Sequence, residues 1–281
     1  MTTVDVIEPA KPQVGRQIFA VWRFRHLFFF FTRNSIRGYY ANTILGWPWL
    51  VIRPLLPALL FAVLFSNVQQ FKGNGLPYLL FLLSGFALWN LVGVGLRISV
   101  RSISGHRKFI TRMNFPHMIV PLATIAPAFA QFLFAMVVMG LATAYYWWAD
   151  GKLYIHVSWR LLWLPGPVLI TLLTVGGIGM LLSGLNAFAR DVRLTLPLFL
   201  QFWMFVSPVL YPLTVVPEHA LKIIYIVNPM ASVLDTFKWI LFDIPMHEPT
   251  FVWYAAGMSL VIFGIGAWFL TRLENALVDY L

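Results

Sequence analysis

The chain has 281 residues, of which 60% are hydrophobic and only 11% charged, with a mean hydropathy of +0.78. Soluble domains carry about a quarter charged residues, so these proportions exclude a soluble globular domain and read as a polytopic membrane protein. The formal charge of +10 would suggest nucleic acid on a soluble surface, but here it follows the sides of a membrane, and the lack of cysteine excludes disulfides, thiolate metal sites and palmitoylation.

Residues 1–14 are polar, include Asp5 and Glu8, and have no apolar core of a secretory signal. Residues 15–40 follow, with Arg16, Arg23, His26, Arg33 and Arg37 at intervals of 7, 3, 7 and 4. That spacing puts the cations on one helical stripe. With Phe, Ile, Val and Trp over much of the remainder, the pattern describes a helix lying in the membrane interface. A short first span is the competing reading, which the frequent arginines disfavour. Residues 1–46 are thus expected to form a cytoplasmic tail and amphipathic interface helix, and 47–281 the transmembrane domain.

About 20 apolar residues cross a bilayer, and six stretches qualify: 47–68, 78–98, 117–148, 161–187, 194–213 and 251–270. Between the second and third lies a polar stretch from Arg97 to Pro121, with the loop 98–116 at its heart, that holds five cations (Arg97, Arg101, Arg107, Lys108, Arg112) and no acid. Short basic loops stay inside, so this one fixes the orientation. Either it is topogenic only, or its helix and turn receive force from a motor outside the membrane. With both termini cytoplasmic, 15 Lys and Arg fall inside and 5 outside, while the acids divide 5 and 5; the bias lies in the cations, as the positive-inside rule requires. Between the fifth and sixth stretches, 223–227 and 237–242 are apolar but too short to cross, and Asn228-Pro229 breaks them. The segment 214–249 reads as a re-entrant hairpin, which needs protein or a water-filled cavity around it. A surface loop with two amphipathic helices fits the same letters.

Catalytic signatures do not emerge. There is no GxxxxGK[ST] phosphate loop, and Leu182-Ser183-Gly184 lies inside an apolar span. The aspartates are scattered, without a pair to hold Mg²⁺, and the histidines form no ligand pair. His247-Glu248 reads as an external surface pair. No acid falls within the six expected spans, which weighs against ion-coupled transport.

Four stretches in order resemble the membrane subunit of ABC-2 type exporters, in the branch that moves polysaccharide and lipid-linked glycans: RNSIRGYYANTILGWPWLVIRP (33–54), TRMNFPHMIVP (111–121), NAFARDVRLTLPLFLQFWMFVSPVLYP (186–212), then Asn228-Pro229 with Lys238-Trp239. The likeness covers residues 15–275; Asn34 stands where the family often has Asp, and Pro48 and Arg53 are unusual in a first span. It implies an all-α polytopic fold with six transmembrane helices and a re-entrant outer gate. It also implies a homodimer in the cytoplasmic (inner) membrane carrying two ATPase subunits, with ATP and Mg²⁺ bound by those partners and no cofactor in this chain. The cargo implied is an O-antigen-like glycan on a polyprenyl pyrophosphate carrier, with capsule or teichoic-acid polymers close behind. An ABC-2 exporter of drugs or lipids, or a polyprenyl-dependent membrane glycosyltransferase, are the alternatives.

Sugars stack their C–H faces on aromatic rings, and the chain has 12 Trp and 10 Tyr. Many suit interfacial belts, notably Tyr145, Tyr146, Trp147 and Trp148. The expected substrate path comprises Arg33, Arg37, Tyr39, Tyr40, Trp47, Trp49, Arg53, Trp89, Trp203 and Tyr211. Arg53, just inside the membrane, either meets the carrier's pyrophosphate with Arg33 and Arg37 or snorkels to the headgroups. The ATPase is expected to engage Ser104, Gly105, His106, Arg107, Lys108 and Phe109 together with Arg190 and Asp191.

Overall fold

The computed structural model describes residues 22–40, 48–65, 75–113 and 115–280, and among these it is helical with no strand. Helix α1 (Arg25–Tyr40) carries the basic stripe; its partner face buries Phe31 and half-buries Leu27 and Phe28, while Arg33 and Arg37 stay exposed. The amphipathic pattern is thus real in this stretch, and residues 15–21 and 41–47, Trp47 among them, lie outside the described ones.

Helix α2 (Trp49–Phe65) contains Pro54 and Pro57 and is apolar throughout apart from Arg53. It packs on α3 (Tyr78–Val100), the centre of the molecule, whose side chains are buried almost all round. A helix hydrophobic on every side belongs inside a bundle. After α3 the chain makes two single turns, α4 (Ser102–Gly105) and α5 (Arg107–Ile110), then α6 (Ile119–Ala123) and α7 (Ala126–Asp150). A 3-10 turn at Trp159–Trp163 leads into α8 (Pro165–Phe188). Proline at the first helical position suits α8, because its missing N–H has no acceptor there.

α8 packs most extensively on the last helix, α12 (Phe251–Tyr280). The contact is backbone to backbone: a Cβ on Gly177 would stand 2.6 Å from the Ile262 carbonyl, and one on Gly266 would strike Gly177. Small residues let membrane helices approach in this way, where apolar burial alone gives no advantage over lipid.

The fifth stretch ends earlier than its apolar letters suggest. Helix α9 (Asp191–Val206) has 16 residues, about 24 Å of rise, short of the roughly 30 Å hydrocarbon core. Ser207 turns extended (φ −88°, ψ 144°) because the following Pro208 disfavours the helical region before it. Residues 207–212 then pass α3 through turns and bends, so closely that a Cβ on Gly85 would lie 2.6 Å from the Val209 carbonyl.

Two helices, α10 (Glu218–Val227) and α11 (Pro229–Phe242), complete the fold and meet at 107°. Asn228 is extended (φ −123°, ψ 97°) before Pro229, and its side chain caps α11 by accepting from Met230 N–H. Cap and proline together set the corner. By length and composition four helical stretches can cross a membrane, or five if this bent pair is one span. Each of the six expected stretches contains a helix, but that of the fifth stops at Val206, and α2 and α9 are shorter than a span requires.

Candidate functional site

Three places collect the polar and aromatic side chains. The first is the corner at Asn228, which is 2% exposed. Its Oδ1 accepts from Trp203 Nε1–H (2.9 Å) as well as from Met230 N–H (3.1 Å), and its Nδ2 donates to Ser207 Oγ (2.8 Å). Ser207 Oγ–H in turn donates to the Trp203 carbonyl at 2.8 Å. Every polar atom of the Asn side chain is therefore engaged, and it ties α9, the turn at Ser207 and α11 into one unit. Trp89 of α3 stands edge-on to Trp203, centroids 5.6 Å apart. Two of the expected path tryptophans thus form one pair, with Trp89 buried and Trp203 half-buried.

About two and a half turns along α11, Lys238 is buried. Its Nζ donates to the Pro208 carbonyl (2.6 Å) and sits 3.4 Å from the Phe81 ring centre. Asp235, one turn earlier, accepts from Tyr225 Oη–H (2.8 Å) and from the His247 backbone N–H (3.2 Å). Lys238, Asp235, His247 and Tyr211 face a cavity of about 60 Å³. Tyr211 donates its hydroxyl to the Val206 carbonyl (3.1 Å). His247 corrects the surface reading of its pair: it is half-buried, with Nδ1 3.9 Å from Asp235 Oδ1, and the hydrogen-bonding carboxylate raises its proton affinity against the opposing effect of burial. The grouping of Asp235, Tyr225 and His247 has no sequence signal, because their contacts join α10, α11 and the following loop.

The second place is the end of α2. Arg53 donates to the Tyr39 hydroxyl, and its Cζ lies 5.1 Å from the Tyr39 ring centre and 5.8 Å from that of Trp49. So Tyr39, Trp49 and Arg53 do come together. Tyr40 ends α1. Arg33 and Arg37 lie on the exposed face of α1. Arg97 lies near the end of α3, the helix packed against α2, and its charge is felt by both Tyr39 and Arg53.

The third place is the turn formed by α4 and α5. Ser104, Gly105, Arg107, Lys108 and Phe109 are exposed, while Ile103 and Ile110 anchor the turn from beneath. His106 Nδ1 lies 2.8 Å from the Ser102 carbonyl, and Phe31 of α1 meets the His106, Phe109 and Phe115 rings at 5.1, 5.6 and 5.9 Å. Asn186 Nδ2 donates to Ser104 Oγ (3.2 Å), joining the turn to the end of α8, where Arg190 and Asp191 are exposed at the start of α9. His117 N–H donates to Glu274 Oε1 (3.0 Å), fastening the next loop to α12. The two stretches expected to meet an ATPase are therefore linked and present side chains outward. Among the described residues, no cluster of three or more His, Asp or Glu suits a metal ion.

A family model described as ABC-2 type transporter matches residues 26–242. Three relatives, each described as "O-antigen export system permease protein RfbA", resemble nearly the whole chain. The one from Myxococcus xanthus is 25% identical over 250 residues, covering 88% of this chain and 92% of its own. Two from Klebsiella pneumoniae are 25% and 24% identical, each over 83% of this chain and 87% of their own.

Proposed function

The chain belongs to the ABC-2 type transporter family, and on that premise we propose that it is the permease subunit of an ATP-driven exporter of lipid-linked polysaccharide. The cargo is an O-antigen-like glycan on a polyprenyl pyrophosphate, carried across the cytoplasmic membrane. The observation that carries this reading is the likeness, over 83–88% of the chain, to relatives described as O-antigen export permeases. The half-buried Trp203, backed by the buried Trp89 and held by a fully engaged Asn228, supports it by offering a fixed ring of the kind sugars stack on.

The finer architecture belongs to the same proposal. Six passes with both termini cytoplasmic place the α4–α5 turn and the Arg190-Asp191 step on one side, where two ATPase subunits dock and supply ATP and Mg²⁺. A second copy of the chain completes the path. Leu194, Leu198, Phe199, Phe202 and Phe205 of α9 are exposed in the single subunit, an apolar face that suits a second copy or lipid. The α10–α11 pair is a re-entrant outer gate, since Asp235 and Lys238 are satisfied by protein around them, as irregular structure at membrane depth requires.

Deletion of this chain from its host should abolish surface polysaccharide while lipid-linked glycan accumulates at the cytoplasmic face, and re-expression should restore export. Unchanged surface polysaccharide in the deletion strain sinks the proposal.

A further inference from the structure

Arg97 stands three residues before the end of α3, where a cation in a span ordinarily stretches toward the near headgroups. The helix forbids that path: side chains lean toward the helix N-terminus, here toward the middle of the span. The guanidinium follows this lean. A Cβ at Gly93, one turn back, would meet Arg97 Nη2 at 3.5 Å, Nη1 at 3.6 Å and Cζ at 3.8 Å. Gly93 is thus the bed on which the charged group lies, and a longer side chain would occupy it.

Folded back, Arg97 comes within electrostatic range of Arg53 and Tyr39. Arg53 approaches from the neighbouring α2, donating to the Tyr39 hydroxyl and lying near the Tyr39 and Trp49 rings. No described carboxylate forms an ion pair with either guanidinium. Two like charges drawn together in a low-dielectric setting repel, and each needs a counter-charge. Arg97 is exposed and Arg53 half-buried, so a ligand can reach both from outside the subunit.

We propose that Arg97 and Arg53, with the Tyr39 hydroxyl between the helices and Trp49 beside them, form a receptor for the phosphate or pyrophosphate end of a lipid. Two planar guanidinium forks from adjacent helices match the several oxygens of a pyrophosphate better than a lone phosphodiester. The pyrophosphate assignment rests on the reading of a carrier-linked cargo; the phosphate chemistry does not. Arg33 and Arg37 take no part in the receptor.

The test uses the full chain in phosphatidylcholine nanodiscs, titrated separately with farnesyl pyrophosphate, inorganic pyrophosphate and phosphatidylglycerol, with binding read by native mass spectrometry. Wild type should bind farnesyl pyrophosphate, and R97Q and R53Q should each weaken it roughly tenfold, the loss expected for a charged hydrogen-bond partner. R97K, which keeps charge and fold, should lose part of the affinity. G93L, which keeps both arginines but takes the guanidinium's bed, should behave like R97Q, while R33Q and R37Q bind as wild type. Equal, arginine-dependent binding of phosphatidylglycerol would assign the receptor to ordinary headgroups. No binding by wild type, or R97Q binding as wild type, overturns the receptor. So does a variant that changes only the oligomeric state, which would mean that a carboxylate of a second copy is the counter-charge. If R97Q loses binding while surface polysaccharide is exported normally, the receptor stands and the carrier-linked cargo falls.

Discussion

Replacing Asn228 by Ala should loosen the corner between α10 and α11 and little else. The side chain makes three hydrogen bonds at 2.8–3.1 Å while 2% exposed. Alanine removes the N-cap of α11, worth about 1 kcal/mol. It also orphans Trp203 Nε1–H and takes the donor from Ser207 Oγ. Buried groups left unpaired in soluble proteins cost about 1 kcal/mol or more each, and membrane-embedded hydrogen bonds average about 0.6. The sum is about 2–3 kcal/mol, on the order of a 30- to 150-fold rise in the population of the opened corner. Amide exchange followed by mass spectrometry should show it first at Met230 and Ala231, whose N–H groups are held by Asn228 Oδ1 and by its carbonyl. Ser207→Ala, which removes one partner, should give a smaller rise. If exchange at Met230 and Ala231 changes less than threefold in Asn228→Ala, the network does not hold the corner and the argument fails.

Charge reversal at the α4–α5 turn, with His106, Arg107 and Lys108 together changed to Glu, should leave insertion intact and abolish coupling of ATP turnover to export; export at the wild-type level would remove the turn from the docking surface. Gly177→Val should lower thermal stability in detergent sharply, because its Cβ has only the Ile262 and Phe263 backbone to enter, whereas Gly257→Ala, with open space around it, should be neutral or slightly stabilising. A melting series that reverses this order would show that α8 and α12 are not in backbone contact. His247 has its proton affinity raised by Asp235, so its stabilising contribution is complete below the unfolded pKa of about 6.5 and fades as pH rises through the higher folded value. Between pH 5.5 and 8.5 the wild type should therefore lose more melting temperature than His247→Gln; parallel curves would exclude the pairing.

The sequence discloses most of this fold because membrane helices announce themselves by length. Tyr78–Val100, Ile119–Asp150, Trp159–Phe188 and the start of the last helix sit where apolar runs of about 20 residues put them. The rule failed where backbone chemistry overrides hydropathy. Residues 207–213 are as apolar as a span end, yet Pro208 removes a donor and forces Ser207 extended. Likewise 223–227 and 237–242 read as two short apolar pieces, but the helices extend well beyond them through polar letters. Asp235 and Lys238 belong to α11 because Tyr225, the His247 amide and the Pro208 carbonyl satisfy them. A polar residue ends an apolar run on paper; in space it ends a buried surface only when nothing answers it.

The candidate sites divide along the same line. Tyr39, Trp49 and Arg53 were legible together because they flank one break in the chain, and the α4–α5 turn because its cations stand without acids. Spacing on α1 could not show that Tyr39 is the residue that meets Arg53, since a helical wheel gives a stripe but not what lies opposite it. Nor could charge counting separate Arg97 from Arg101. Four residues apart, both look like members of one loop. The difference is that α3 continues to Val100, so Arg97 is still helical and lies back over Gly93, while Arg101 is past the helix end. Moving the end of a helix by one turn changes which way a guanidinium leans, and sequence reading is least certain about just that boundary. The lasting signal was the glycine. A Gly four residues before an Arg near the end of an apolar run leaves room for the side chain to fold back, and this pairing can be read without a structure.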